Sequence, residues 1–314
     1  MVATMGTPDN DLLRAGAALE QVATGSTWCE GPLWLPALKV LRWSDIPGNR
    51  ILELDPATGR TRVHRTDVEF TNGRTLDHDG SVLQCSHGRR AVEREVDGAV
   101  TTVVDRWSGG RFNSPNDIVV AADGTYWFTD PPYGIVFPRE GHPGEREYGD
   151  HYVFRFDPAT GDVRPVVIDV EEPNGLAFSP DESVLYVSDT SQALAAEGGG
   201  NHHIRAYDVL PGGRCKNGRV FAVISDGVSD GFRVDVQGRV WTSAGSSVQV
   251  FAPTGDLLAT IPVPEVVANV CFGGPDGTDL YVAATTSIYR LSTCARDAAG
   301  SWAAGASATG ASAT

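Results

Sequence analysis

EPNGLAFSPDESVLYVSD, residues 172–189, decides how the rest of the chain is read. Asn174 precedes an apolar run, Asp181 opens a turn seven positions later, and a second apolar run, VLYVSD, follows. Two short alternating runs hinged on a turn read as an antiparallel pair of strands. The pattern recurs in both directions, at Glu30, Asn72, Asn116, Asn174, Asp230 and Asn269. Seven positions after Asn72, Asn116 and Asn269 stand Asp79, Asp123 and Asp276, each followed by Gly; after Asp230 the offset gives Gln237-Gly238. The copy at Glu30 departs, with Ala37 at that offset inside WLPALKVLRW.

The later halves of the copies also resemble one another, as in RILELDPATGR (50–60), YVFRFDPATGD (152–162), HIRAYDVLPGG (203–213) and SVQVFAPTGDL (247–257). Repeats at a period of a few tens of residues mark solenoids, propellers or arrays. Here each repeat reads as a four-stranded meander, and no long 3.6-residue helical pattern interrupts them. The expectation is an all-β chain, a six-bladed β-propeller, whose radial closure leaves only short protected sheet edges. The last strand, around SIYRLST (287–293), lacks a fourth partner, and LEQVATG (19–25) is expected to supply it and lock the ring. The propeller domain is therefore placed at 15–293. Residues 1–14 are expected to be a flexible N-terminal segment. Residues 294–314, running into ARDAAGSWAAGASATGASAT, have the composition of a disordered low-complexity tail.

The chain has 314 residues and a formal net charge of −15, with 40 Asp and Glu against 25 Lys and Arg. Such acidity disfavours nucleic acid and anionic membranes as partners. The 5 cysteines lack the short spacings of a zinc site or a redox pair, and free thiols fit a reducing compartment. The start, MVATMGTPDNDLLRAG, has neither the basic nor the apolar region of a secretory signal, and no later stretch is long enough for a membrane span. A cytoplasmic protein, a monomer or weak homo-oligomer, is the reading that follows.

In a propeller the innermost strand of each blade starts at one rim of the central channel, so side chains in one register converge on the axis. A single Asn-Gly such as Asn72-Gly73 reads first as a turn former. Six copies in register, two of them acidic, read better as a convergent set. Carboxylates and carboxamides offer hard oxygen donors, without the His or Cys that would favour a softer metal. Glu30 and Asp230 would neutralise one divalent cation while Asn116 and Asn174 add neutral oxygens. Ca²⁺ is the first expectation, and Zn²⁺, Mn²⁺, Mg²⁺ or Fe²⁺ also fits. Surplus residues at 134–150 and 191–202 are candidate covers for the channel mouth.

The motifs WCEGPLW (28–34), FNSPNDIVV (112–120), FTDPPYG (128–134), EPNGLAFSPDESVLYVSD (172–189) and SDGFRVDVQGRVW (229–241) resemble those of the gluconolactonase, regucalcin and luciferin-regenerating-enzyme superfamily. The resemblance covers about residues 15 to 293. It implies a six-bladed propeller with a divalent metal on its axis, held by Glu30 of EGP, Asn116 of NSPND, Asn174 of PNG and Asp230 of the DG segment. Ser229 departs from the Pro more usual before that Asp-Gly, which bears on local backbone stiffness.

What the resemblance implies chemically is a metal-dependent hydrolase that opens a sugar aldonolactone to its aldonic acid. A metal would polarise the ring carbonyl, with Asp230 as candidate general base and Glu30 as its rival. Asp117 is the candidate for holding a ligand amide in orientation. Arg111, Asn113, Asp130, Tyr133, His87 and Arg89 are candidate substrate contacts. The scaffold also accommodates a phosphotriesterase similar to diisopropyl-fluorophosphatase, or a non-enzymatic calcium-binding propeller.

Overall fold

The computed structural model describes residues 11–299. Six four-stranded antiparallel sheets are laid down in chain order, and the first strands of neighbouring sheets touch one another around a closed ring. This is the expected six-bladed propeller. Five sheets are simple meanders. The first runs Cys29–Leu35, Val40–Asp45, Arg50–Asp55, Arg60–Thr66, and the fourth runs Pro173–Phe178, Val184–Asp189, His203–Leu210, Arg214–Val223. The sixth joins Val267–Gly273, Asp279–Ala284 and Ser287–Ser292 to Glu20–Thr24, which pairs antiparallel with Ser287–Ser292. The N-terminal strand thus closes the ring as its sequence anticipated.

Alternation explains the layering. Outer strands such as Arg60–Thr66 are largely solvent-facing, whereas the second strands carry bulky side chains into the seams between blades. Trp43, Trp127 and Trp241 occupy such positions and are fully buried. Trp34 of the first blade stacks on Tyr281 of the sixth with centroids 5.8 Å apart, and Trp127 of the third meets Phe178 of the fourth at 5.1 Å. Aromatic pairs of this kind add about 0.5–1.5 kcal/mol beyond the area they bury. The only regular helices among the described residues are a single turn at Tyr133–Val136 and a 3₁₀ turn at Ser191–Ala193.

The described chain runs past both expected domain boundaries. Leu12 is buried in the seam cluster of the last two blades, Leu13 bridges Thr293, and Cys294 N donates to Leu12 O at 2.9 Å. Ala295 is buried in the same cluster, and Val236 N and Ala298 N engage Arg296 O and Val234 O at 2.9 Å each. These contacts make 11–14 and 294–299 part of the folded body. The remainder of the two terminal expectations, 1–10 and 300–314, lies outside the described residues.

Candidate active site

Each inner strand delivers its register residue at its N-terminal end, and local irregularity aims it. Pairing shifts between Glu30 and Leu33, Thr71 and Arg74, Pro173 and Leu176, and Val267 and Asn269. In the third and fifth blades regular pairing starts only at Ile118 and Phe232, just after Asn116 and Asp230. A bulge re-aims a side chain and breaks the ladder locally. The glycines that follow allow backbones to meet at the axis. Gly175 N donates to Asp230 O at 3.0 Å, and a Cβ on Gly175 would stand 2.3 Å from that oxygen. Gly31, at φ +49°, would clash with Asn72 O in the same way, at 2.2 Å.

Glu30, Asn116, Asn174 and Asp230 line one cavity of about 440 Å³ at this end of the channel. Four blades thus bring the predicted set together. Asn72 and Tyr133 line it too. A second cavity, of about 500 Å³, opens at the other ends of the inner strands beside Trp34, Phe178 and Arg233, and none of the register side chains lines it.

The electrostatics of the first cavity are unbalanced. Burial pushes the Glu30 carboxyl up to about 7, although Gly31 N at 3.0 Å and Asn269 Nδ2 at 3.3 Å both donate to its Oε2. Burial, and then the charge of Glu30, hold Asp230 well above the usual carboxylate range. The Asn116 carboxamide makes no hydrogen bond within the described protein, while Asn174 Nδ2 donates to Thr190 Oγ1 at 3.3 Å, leaving its oxygen free. Arg139 is the one basic side chain among the described residues lining the cavity, and it is exposed and turned to Glu140 at 3.3 Å. Two like-charged buried carboxyls with partnerless amide oxygens fit a cation, which relieves their repulsion. The carboxyl and carboxamide groups on the cavity floor offer hard oxygen donors, and among the described residues there is no cluster of three or more His, Cys, Asp and Glu.

Asp117 is buried beneath this floor, but its oxygens do not reach a ligand amide. Oδ1 accepts Ile118 N at 2.9 Å, Oδ2 has no hydrogen bond, and Arg233 Nη1 stands 3.8 Å away. Its contribution is negative field, which raises both Glu30 and Asp230. The Asn174 amide is met instead by Thr190, whose Oγ1 also lies 2.5 Å from the Tyr133 hydroxyl. Ser229, the departure from Pro, is fixed by its hydroxyl 2.7 Å from Thr242 Oγ1, and Asp230 N donates to Ser243 Oγ at 2.8 Å.

Of the six expected substrate contacts, Tyr133 alone lines the cavity. Asn113 and Asp130 are spent on each other. Asn113 N and Ser114 N donate to the Asp130 carboxylate at 2.7 and 2.8 Å, and Asn113 Nδ2 donates to Asp130 O at 3.2 Å. Tyr148 also donates to Asp130, whose carboxyl burial pushes up to about 6. This clasp ties the 112–117 turn to the strand Tyr126–Asp130 and so places Asn116, whose N donates to Thr129 O at 2.9 Å. Arg111 and Arg89 are exposed, Arg111 Nη2 reaching Arg89 O at 3.4 Å and Arg89 pairing with Glu93 at 3.2 Å. His87 is buried behind Asn72.

The surplus segments do meet the cavity. Phe137, Arg139 and Glu140 come from the first, and Gln192 and Ala193 from the second. Neither belongs to the repeat, so the register could mark the segments as candidates without naming the side chains.

The sequence matches the family described as SMP-30/Gluconolactonase/LRE-like region over residues 28–286. It is 32% identical over 306 residues to a gluconolactonase of Zymomonas mobilis, covering 90% of this chain and 83% of that protein. A pentonolactonase of Haloferax volcanii is 34% identical over 263 residues, covering 81% and 80%. The solved structure of a gluconolactonase from Xanthomonas campestris superposes with a TM-score of 0.83 at 37% identity, covering 93% of this chain and 99% of that one. By its ring of blades, its register side chains and this match across most of its length, the chain belongs to the SMP-30/gluconolactonase/LRE-like family.

Proposed function

We propose that the protein is a sugar-lactone hydrolase whose reaction takes place in the 440 Å³ cavity and depends on one divalent cation. The observation that carries this reading is the convergence of two buried carboxyls and partnerless carboxamides on the cavity floor. Relatives named as gluconolactonase, pentonolactonase and 6-deoxy-6-sulfogluconolactonase support a sugar lactone as the substrate class. Glu30, Asn116, Asn174 and Asp230 would hold the cation, with Ca²⁺ the best match to an all-oxygen set. When bound, such an ion supplies Lewis-acid polarisation of a carbonyl oxygen.

The chain's own residues do the rest. Asp230 orients a water and takes its proton, and Glu30 is the other carboxyl in reach of that role. Thr190 holds the Asn174 amide and the Tyr133 hydroxyl together, so both present fixed polar edges to the substrate. Trp28 and Phe137 give the wall an apolar surface that limits bulk water around the reacting ester.

The test is a pH-indicator assay of untreated, chelated and cation-restored protein on gluconolactone, xylonolactone and a diethyl organophosphate. Lactone turnover that chelator abolishes and one cation restores is the expected result. Turnover indifferent to chelator would remove the cation from the reading, and organophosphate turnover alone would replace the reaction.

A further inference from the structure

Asn72 occupies the register position of the second blade and lines the cavity, yet stands outside the proposed ligand set. Its amide is oriented by a short chain of bonds from the cover. The backbone carbonyl of Glu140 can only accept, and it lies 2.9 Å from His87 Nδ1, so that nitrogen carries the ring hydrogen. Burial lowers the imidazole to about 4 and keeps it neutral, which leaves Nε2 a bare acceptor. Nε2 lies 3.3 Å from Asn72 Nδ2, so the NH₂ edge of the amide faces the histidine. Gly134 packs against the root of this side chain, where a Cβ would stand 2.6 Å from the His87 Cβ, and the Glu140 carbonyl holds the ring from the other side. Asn72 Oδ1 is the edge left over. No hydrogen bond to it occurs among the described residues, where the Asn72 side chain bonds through Nδ2 alone, and Asn72 lines the cavity.

We propose that Asn72 Oδ1 accepts a hydrogen bond from a hydroxyl of a polyhydroxylated ligand, with His87 as the positioning residue that fixes this edge beneath the Glu140 segment. The inference rests on the reading of the cavity as the lactone site. It makes the second blade a contributor to substrate recognition, through a neutral acceptor that selects for a hydroxyl donor.

Two conservative variants separate the two bonds of His87. His87→Asn keeps a donor near the Nδ1 position and loses the acceptor for Asn72; His87→Gln keeps the acceptor and loses the donor to Glu140. D-gluconate, a polyol sugar acid, serves as the calorimetric probe of binding, and gluconolactone as the kinetic one. Loss of one neutral hydrogen bond predicts that Asn72→Ala and His87→Asn each weaken gluconate about three- to tenfold and raise KM by a similar factor. The double variant should lose no more than either alone, and His87→Gln should recover most of the affinity lost in His87→Asn. Nitrogen-15 spectra of the wild type should place the His87 proton on Nδ1.

Gluconate affinity unchanged in Asn72→Ala, additive losses in the double variant, a proton on Nε2, or no gluconate binding by the wild type would each overturn the proposal. Lactone turnover that ignores Asn72 sinks the proposal alone. Gluconate binding that needs Asn72, without any lactone turnover, sinks the assigned reaction alone.

Discussion

Asn269, in the last blade, donates its side-chain amide to Glu30 Oε2 in the first, at 3.3 Å. Its own oxygen accepts Val270 N at 2.8 Å, so the amide cannot flip, and Glu30 is aimed by a residue 239 positions away. Groups that orient a ligand side chain typically contribute 10- to 100-fold to metal affinity. Asn269→Ala is expected to weaken divalent-cation binding by about that factor. Competition with a fluorescent chelator measures it; unchanged affinity would mean that Glu30 needs no such brace.

Crowding Glu30 against Asp230 has an energetic cost when nothing neutralises them. In chelator, at about pH 8, Asp230→Asn is expected to be more stable than the wild type by about 1–3 kcal/mol, because one of two buried like charges is gone. With saturating cation the order should reverse, since the wild type alone keeps its full donor set. Urea midpoints with and without cation decide this. A variant less stable than the wild type under both conditions would show that Asp230 serves the fold itself.

Leu12 is 1% exposed and packs with Trp241, Val270 and Leu291 in the seam of the last two blades. Large-to-small changes at such positions cost the lost transfer energy plus a cavity term. Leu12→Ala is therefore expected to destabilise by about 2–4 kcal/mol in denaturant titration. A cost near zero would return residues 11–14 to the status of a loose leader.

Between the first two blades, Glu95 gathers His64 Nε2 at 3.4 Å, Arg65 at 3.2 Å and Arg42 at 3.6 Å. The His64 hydrogen bond first, and then the two guanidiniums working against burial, pull its carboxyl down to about 2. Because this lies below the ordinary value of 4.5, the unfolded chain binds the extra proton in between. The stabilisation is complete above about pH 4.5 and disappears as the solution is acidified toward about 2. Glu95→Gln should be less stable by about 1–2 kcal/mol above that window, after allowance for solvent screening, and should lose part of the acid slope. Urea titrations across pH provide the comparison.

The fold and the convergence of Glu30, Asn116, Asn174 and Asp230 on one cavity were legible because repetition multiplies a weak signal. One Asn before an apolar run means little, whereas six in register specify the axis, and the bulges at Glu30, Asn72, Asn174 and Asn269 then aim what the register supplies. Roles that depend on contact between distant side chains were not legible. Nothing near Asn113 or Asp130 in sequence announces that they bond each other, or that Asp117 faces Arg233 instead of an amide. Composition misplaced the C-terminal boundary for a related reason. Alanine-rich polar stretches average to disorder, but Ala295 is buried in the seam cluster of the last two blades.

Strand Glu20–Thr24 pairs with Ser287–Ser292, and Leu12 O receives Cys294 N, so the two ends of the described chain are stitched into one sheet. During synthesis the strand Glu20–Thr24 must wait unmatched until Ser287–Ser292 has left the ribosome. Contacts of such sequence separation form slowly, and waiting edges invite aggregation. The same geometry makes the chain a good subject for circular permutation: joining its ends and opening a turn between blades would let the sixth sheet assemble early, moving the late step of folding to a seam of the experimenter's choosing.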